Sequence, residues 1–120
     1  MLEGSFFNVK SMHSKNGKVS AVLEIDPRNT IFNGHFPGQP VVPGVCMMQM
    51  IKEVIEKETG RPTNMYAAEN LKFLSVINPA ENSIIELELT YAVAGDIQVT
   101  ATLFNASLVF FKMKGMYVFD

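Results

Sequence analysis

Six glycines and prolines fall within eleven residues: Gly34, Pro37, Gly38, Pro40, Pro43 and Gly44. Proline fixes φ and lacks an amide donor, and glycine weakens a helix or strand through lost conformational entropy. No regular element can therefore run through residues 34–44, which must form a rigid, non-repetitive loop. The segment after it has the opposite character. Residues 45–58 read as a helix, bounded by Pro43-Gly44 in front and by Gly60 and Pro62 behind. Val45, Cys46, Met47, Met48, Met50 and Ile51 are apolar nearly all round the helix, so its first half is expected to be wrapped by protein. Lys52, Glu53, Glu56, Lys57 and Glu58 leave only Val54 and Ile55 as an apolar stripe, so the second half is expected at the surface.

The rest of the chain alternates with the period of β-strands. Residues 4–26 hold two alternating segments around Lys15-Asn16-Gly17-Lys18, and Asn-Gly supplies the positive φ values of a type I′ hairpin turn. In the second arm Val19, Ala21, Leu23 and Ile25 share one face, with Val22 the exception on the polar side. Pro27 ends that arm because it cannot donate to a ladder. Four further strands are predicted at 65–77, 83–94, 97–105 and 108–119, separated by Asn78-Pro79, Gly95-Asp96 and Asn105-Ala106-Ser107. One helix beside a mainly antiparallel sheet gives an α+β fold in which the sheet curls around the helix.

A chain of 120 residues, 48% apolar, is expected to form one domain over 1–120. At this size little interior is left for a deep ligand cavity, so a large ligand would need a second subunit to enclose it. The net charge of −2 comes without a block of like charges, which argues against a nucleic-acid partner. No apolar run approaches the roughly 18–20 residues of a membrane-spanning helix. A single cysteine and a start without the pattern of a secretion signal suit a reducing cytoplasm.

Chemistry-bearing residues are few. His13 sits in an alternating strand near a polar turn, where an imidazole without a task is the usual finding. His35 lies inside the Gly/Pro loop just ahead of the apolar helix start, where it either stabilises a turn or does chemistry. Metal ligation is unsupported, since Cys-x-x-Cys, His-Glu-x-x-His and a second histidine at ligand spacing are all missing. No Gly-x-Gly-x-x-Gly or Walker sequence offers a cradle to a nucleotide cofactor. Cys46 reads as packing rather than as a nucleophile. Gln49 is the one hydrogen-bonding side chain between Val45 and Ile51, and burying its amide unpaired would cost about 1–3 kcal/mol. It must be satisfied by backbone, water or a ligand. The free N–H groups near Gly44 and Val45, at the positive end of the helix dipole, suit a carbonyl oxygen that gains negative charge.

The string Gly34-His35-Phe36-Pro37-Gly38-Gln39-Pro40-Val41-Val42-Pro43-Gly44-Val45 closely resembles the active-site segment of the 3-hydroxyacyl-acyl-carrier-protein dehydratases of fatty acid synthesis, the FabZ/FabA-like enzymes. The preceding Asn-Gly hairpin, the following helix and residues 70–79, similar to the family's third strand, extend the likeness over nearly the whole chain. The resemblance implies a hot-dog fold, a curved antiparallel sheet wrapped around one long central helix, and two subunits that share active sites across a dimer interface. It implies that His35 removes a proton from the carbon beside the thioester carbonyl, that the Gly44 amide polarises this carbonyl, and that Phe36 lines the substrate tunnel. Phe36, Pro43, Val45 and Met48 would border the substrate, and Met47, Met48 and Met50 suit an adaptable apolar wall, although core packing of the helix is the default for them.

Fourteen residues after the histidine the family carries Glu or Asp, supplied by the partner subunit to help the 3-hydroxyl leave, whereas this chain carries Gln49. Glutamine can hold a hydroxyl but has no proton to give it as an acid. Either His35 returns the proton that it took, or the subunit binds acyl chains or pairs with an active hot-dog subunit instead of turning over. A hot-dog thioesterase is the remaining alternative. The expected substrate is a 3-hydroxyacyl thioester on acyl carrier protein, handled by a homodimer, a higher oligomer or a heterodimer with another hot-dog subunit, without metal or cofactor. Lys52, Lys57, Arg61 and Lys72 are the basic residues available to an acidic carrier, or are simply solubilising charge.

Overall fold

The computed structural model describes residues 1–33 and 40–120. Among these, six strands form one antiparallel sheet in the order β1-β2-β4-β5-β6-β3, accompanied by one helix. Strand β1 spans Phe7–Lys15 and β2 Lys18–Ile25. Between them Asn16 (φ 53°) and Gly17 (φ 76°) both take positive φ, the requirement of the type I′ turn. Helix α1, Gly44–Thr59, is one residue longer at each end than the predicted 45–58. Gly60 closes it in the left-handed region at φ 73°, with its N–H on the Glu56 carbonyl at 2.8 Å. Strands β3 (Thr63–Phe73), β4 (Ile84–Ala94), β5 (Asp96–Asn105) and β6 (Leu108–Phe119) follow.

The predicted strand 65–77 needs correction at both ends. β3 begins at Thr63 and stops at Phe73, and the Leu74 N–H then turns to the Phe110 carbonyl at 2.9 Å. The Val42 N–H reaches the Ile77 carbonyl at 2.9 Å, so the segment after β3 pairs with the approach to the helix instead of extending the strand. The crossover through α1 carries β3 to the edge of the sheet beyond β6. Strands β4 and β5 each differ from expectation by one residue at the start.

Alternation sorts the strand residues as expected. Val19, Leu23, Ile85, Leu87, Val99 and Leu103 are buried, whereas Val22 is only half-buried. Phe110 and Phe111 are consecutive yet both fully buried, which simple alternation forbids. The register shifts there, with Leu103 opposite Phe111 but Phe104 opposite Val109, so Phe110 is the extra residue of a bulge that aims it inward.

The helix corrects the sequence reading twice. Its first half is not wrapped by its own chain: Cys46, Met47, Met50 and Ile51 are buried, but Val45 is 74% exposed and Met48 half-buried. Nor is its second half simply surface. Glu53, Val54 and Ile55 are buried, and the three glutamates nearest its end each fasten a different segment. Glu53 accepts from the main chain at Leu2 and Glu3, Glu56 accepts the Thr63 N–H at 2.7 Å, and Glu58 accepts the Tyr91 hydroxyl at 2.8 Å. No helix of the described residues is long and apolar enough to cross a membrane.

Candidate functional site

Two grooves flank the start of α1. The larger, about 470 Å³, is lined by Val41, Val42, Gly44, Met47, Phe73, Leu74, Ser75 and Val76. It forms because β3 ends at Phe73, whose ring stacks on Phe111 with centroids 4.5 Å apart and stays half-exposed. Gly44 lies against this ring: a Cβ there would meet Phe73 Cε1 at 2.8 Å and Cζ at 2.9 Å. The glycine thus lets the Phe73 ring come close, and a larger residue would have to push that ring aside.

Pro43 caps the helix in an extended conformation (φ −61°, ψ 147°) without a side-chain bond to the free amides. Its carbonyl accepts the N–H of Cys46 at 3.0 Å and of Met47 at 3.2 Å. Among the described residues nothing accepts from the N–H of Gly44 or Val45. The groove is therefore bordered, at Gly44, by a helix start whose free N–H groups can stabilise negative charge on an oxygen. Cys46, behind them, is a buried thiol whose pKa is pushed up by desolvation, as befits packing.

The second groove, about 180 Å³, is lined by Val45, Met48, Gln49, Lys52, Met65 and Tyr117. The helix residues at i, i+3, i+4 and i+7 share one face. Gly44 and Gln49, five positions apart, point about 140° away from each other around the axis. One chain therefore does not bring Gly44 and Gln49 together. Of the predicted site residues, Gly44 lines the first groove, Val45, Met48 and Gln49 line the second, and Pro43 is the helix cap and lines neither. His35 and Phe36 lie outside the described residues.

Gln49 is half-buried and donates Nε2 to Glu53 Oε2 at 2.8 Å, so its partner is a side chain one turn on rather than the backbone, water or ligand expected. Glu53 Oε2 also accepts the Leu2 N–H at 2.7 Å, and Oε1 accepts the Glu3 N–H at 2.8 Å. Three N–H donors offset the desolvation of a carboxylate that is 4% exposed. Tyr117, at the floor of this groove, has its phenol pushed up to about 12 by burial.

The sequence reading missed Phe73, Leu74 and Val76, which it assigned to a continuing strand, and it missed Glu53. The exposed positions of these apolar residues depend on where β3 stops, which no local pattern marked. His13 is exposed, in line with an imidazole without a task. Of the basic residues, Arg61 sits 4.1 Å over the Phe119 ring, Lys57 pairs with Glu3 at 3.3 Å and Lys52 with Glu56 at 3.9 Å. Among the described residues no group of three or more His, Cys, Asp or Glu is placed to hold a metal ion.

The family model described as ApeI-like, ApeI dehydratase, matches residues 11–108. A 3-hydroxyacyl-(acyl-carrier-protein) dehydratase FabZ of Ralstonia nicotianae is 30% identical over 99 residues, which cover 64% of this chain and 60% of that protein. The FabZ of Rickettsia bellii is 34% identical over 83 residues, 52% of this chain and 57% of its own length. The chain thus spans less than two thirds of these relatives. Among solved structures, the dehydratase heterocomplex ApeI:P of Xenorhabdus doucetiae aligns over 92% of this chain and 96% of that one, with a TM-score of 0.68 at 18% identity. A sigma28-regulated virulence protein of Campylobacter jejuni aligns over 99% of this chain and 88% of its own at a TM-score of 0.71 and 10% identity, a likeness of fold alone.

Proposed function

Because the chain belongs to the ApeI-like dehydratases, a FabZ-like hot-dog family, we propose that it eliminates water from a 3-hydroxyacyl thioester on acyl carrier protein to give the trans-2-enoyl thioester. The observation that carries this reading is the groove bordered by Gly44 at the start of α1, where the residue 34–45 motif ends. The acyl chain would lie along Val42, Met47 and Phe73 with its carbonyl oxygen toward the Gly44 and Val45 amides. His35 takes the proton on the carbon next to the carbonyl, the electron pair forms the new double bond, and the bond from the third carbon to oxygen breaks. The departing oxygen then takes the proton back from the imidazolium and leaves as water. An imidazole suits both steps because its unperturbed pKa, about 6.5, lies near working pH.

In this reading 1–120 is a single hot-dog domain, its sheet curled around α1, acting in the cytoplasm without metal or cofactor. The site is completed by a second copy that brings its Val45, Met48 and Gln49 groove to the Gly44 groove of the first. Two features support that. Val45 and Met48 leave apolar surface uncovered on α1, and the edge strand β3 exposes Tyr66, Leu71 and Phe73. Both would be costly to leave in water.

The test is mass analysis of the carrier after incubation with its 3-hydroxyacyl form. Loss of one water in the native protein is the expected result, and an inert protein that stays inert in a folded Gln49→Glu form would end the dehydratase reading. Gly44→Ala adds a check on the groove. Its Cβ pushes the Phe73 ring off Phe111, so KM is expected to rise about tenfold, with a stability loss of about 1 kcal/mol. An unchanged KM would show that the ring does not shape the acyl path.

A second reading is a subunit that pairs with a different, active hot-dog chain. It is favoured by the missing acid at Gln49 and by the neighbour described as a heterocomplex. A stable heterodimer recovered from cells would support it, and a self-sufficient active homodimer would dismiss it.

A further inference from the structure

The one buried carboxylate of α1, Glu53, has no task in the reading above, and its hydrogen bonds decide how the neighbouring amide stands. An amide has a donor end and an acceptor end, and rotation about its last bond exchanges them at little cost unless a neighbour discriminates. Glu53 discriminates, because its oxygens can only accept. Both are held by consecutive main-chain N–H groups, Leu2 to Oε2 at 2.7 Å and Glu3 to Oε1 at 2.8 Å. Its carboxylate therefore cannot swing aside, and Gln49 is left to meet it with Nε2, at 2.8 Å. The planar amide then keeps Oε1 as its acceptor, beside the second Nε2 hydrogen, on a residue that lines the groove of Val45, Met48 and Tyr117. Among the described residues nothing donates to Oε1.

We propose that Glu53 is a positioning residue that locks the Gln49 amide with its carbonyl oxygen available to the groove, so that this position offers a substrate hydroxyl an acceptor. The ligand in this inference rests on the dehydratase reading, whereas the orientation does not. A hydroxyl that donates its hydrogen to Oε1 keeps its own lone pairs free. Those lone pairs are what an incoming proton must reach before the oxygen departs. A flipped amide would donate to the same oxygen and occupy one of them.

The full chain, labelled with ¹⁵N in its glutamine side chains, tests the orientation by NMR. The Gln49 NH₂ pair is expected to be split, with one proton moved downfield and slow to exchange, and Glu53→Gln should remove the downfield shift. An unshifted, fast-exchanging pair in the native protein overturns the inference regardless of turnover. If Glu53→Gln does not fold, Glu53→Asp retains the charge but draws it back by one methylene, and a diminished shift supports the inference while an unchanged one overturns it. The second readout is binding of an unreactive amide-linked 3-hydroxyacyl pantetheine against its 3-methoxy counterpart. The native protein should prefer the hydroxyl form by about tenfold, and Glu53→Gln should level the two. Equal binding of both by the native protein overturns the inference. A shifted Gln49 pair with neither analogue bound supports the orientation and removes the dehydratase reading instead.

Discussion

Replacing His35 by Ala is expected to lower kcat by about 10³- to 10⁴-fold, near the upper end of what general acid–base catalysis contributes. Where a carboxyl handles the leaving hydroxyl, loss of the histidine removes one of two proton transfers. In the dehydratase reading proposed above, Gln49 stands in that place and one imidazole would both take the carbon-bound proton and return it to oxygen, so its loss would remove both. Single-turnover measurement of enoyl product on the carrier gives the number, and a thermal midpoint equal to the native one separates chemistry from folding. A His35→Ala protein that retained native turnover would place the base elsewhere in the chain.

The opposite change in rate is expected from Gln49→Glu, with kcat rising about 10- to 10²-fold. The introduced carboxyl would stand beside Glu53, where the Gln49 amide now sits at 2.8 Å. Two carboxyl groups that close cannot both ionise, so one proton is shared between them. Glu53 is the group already receiving two main-chain N–H donors, so the introduced carboxyl is the one that keeps the proton. A carboxyl that holds its proton to higher pH than a free one is what a departing hydroxyl needs. The sign of the accompanying stability change follows from linkage. A carboxyl whose folded pKa is raised above its unfolded value holds its full stability below the unfolded pKa. It loses stability as pH rises through the folded one. The variant should therefore gain rate near neutral pH while its thermal midpoint declines with rising pH relative to the native protein. A variant without gain in rate and with a flat difference in midpoint would mean that residue 49 does not meet the hydroxyl.

Legibility followed the range of the interactions involved. The Asn16-Gly17 turn was readable because positive φ is a local demand that few residue types satisfy. The back of α1 is readable for the same reason, in Gly60, and its front in Pro43, whose ring fixes φ and whose missing N–H is no loss ahead of the first turn. β6 was placed at its observed bounds by alternation and turn residues, although the bulge that turns both Phe110 and Phe111 inward left no mark in the pattern. β3 was overextended because Leu74, Val76 and Ile77 are as apolar as a strand requires. Past Phe73, however, the N–H groups of Leu74 and Ser75 both turn to the one Phe110 carbonyl, and the Ile77 carbonyl is taken by the distant Val42, so the regular ladder does not continue. Glu53 was assigned to water for a similar reason. Its burial is made possible by the amides of Leu2 and Glu3, and a main-chain donor has no residue identity to read. The split of the candidate residues between two grooves is simple helix geometry, yet only the position of β3 shows that each face of α1 borders open space.

The attachment of Leu2 and Glu3 to Glu53 has a practical side for anyone who handles the protein. A protease nick within residues 1–6 would loosen the same two amides that steady Gln49 from behind, so that damage about fifty residues away along the chain would be felt at the helix groove.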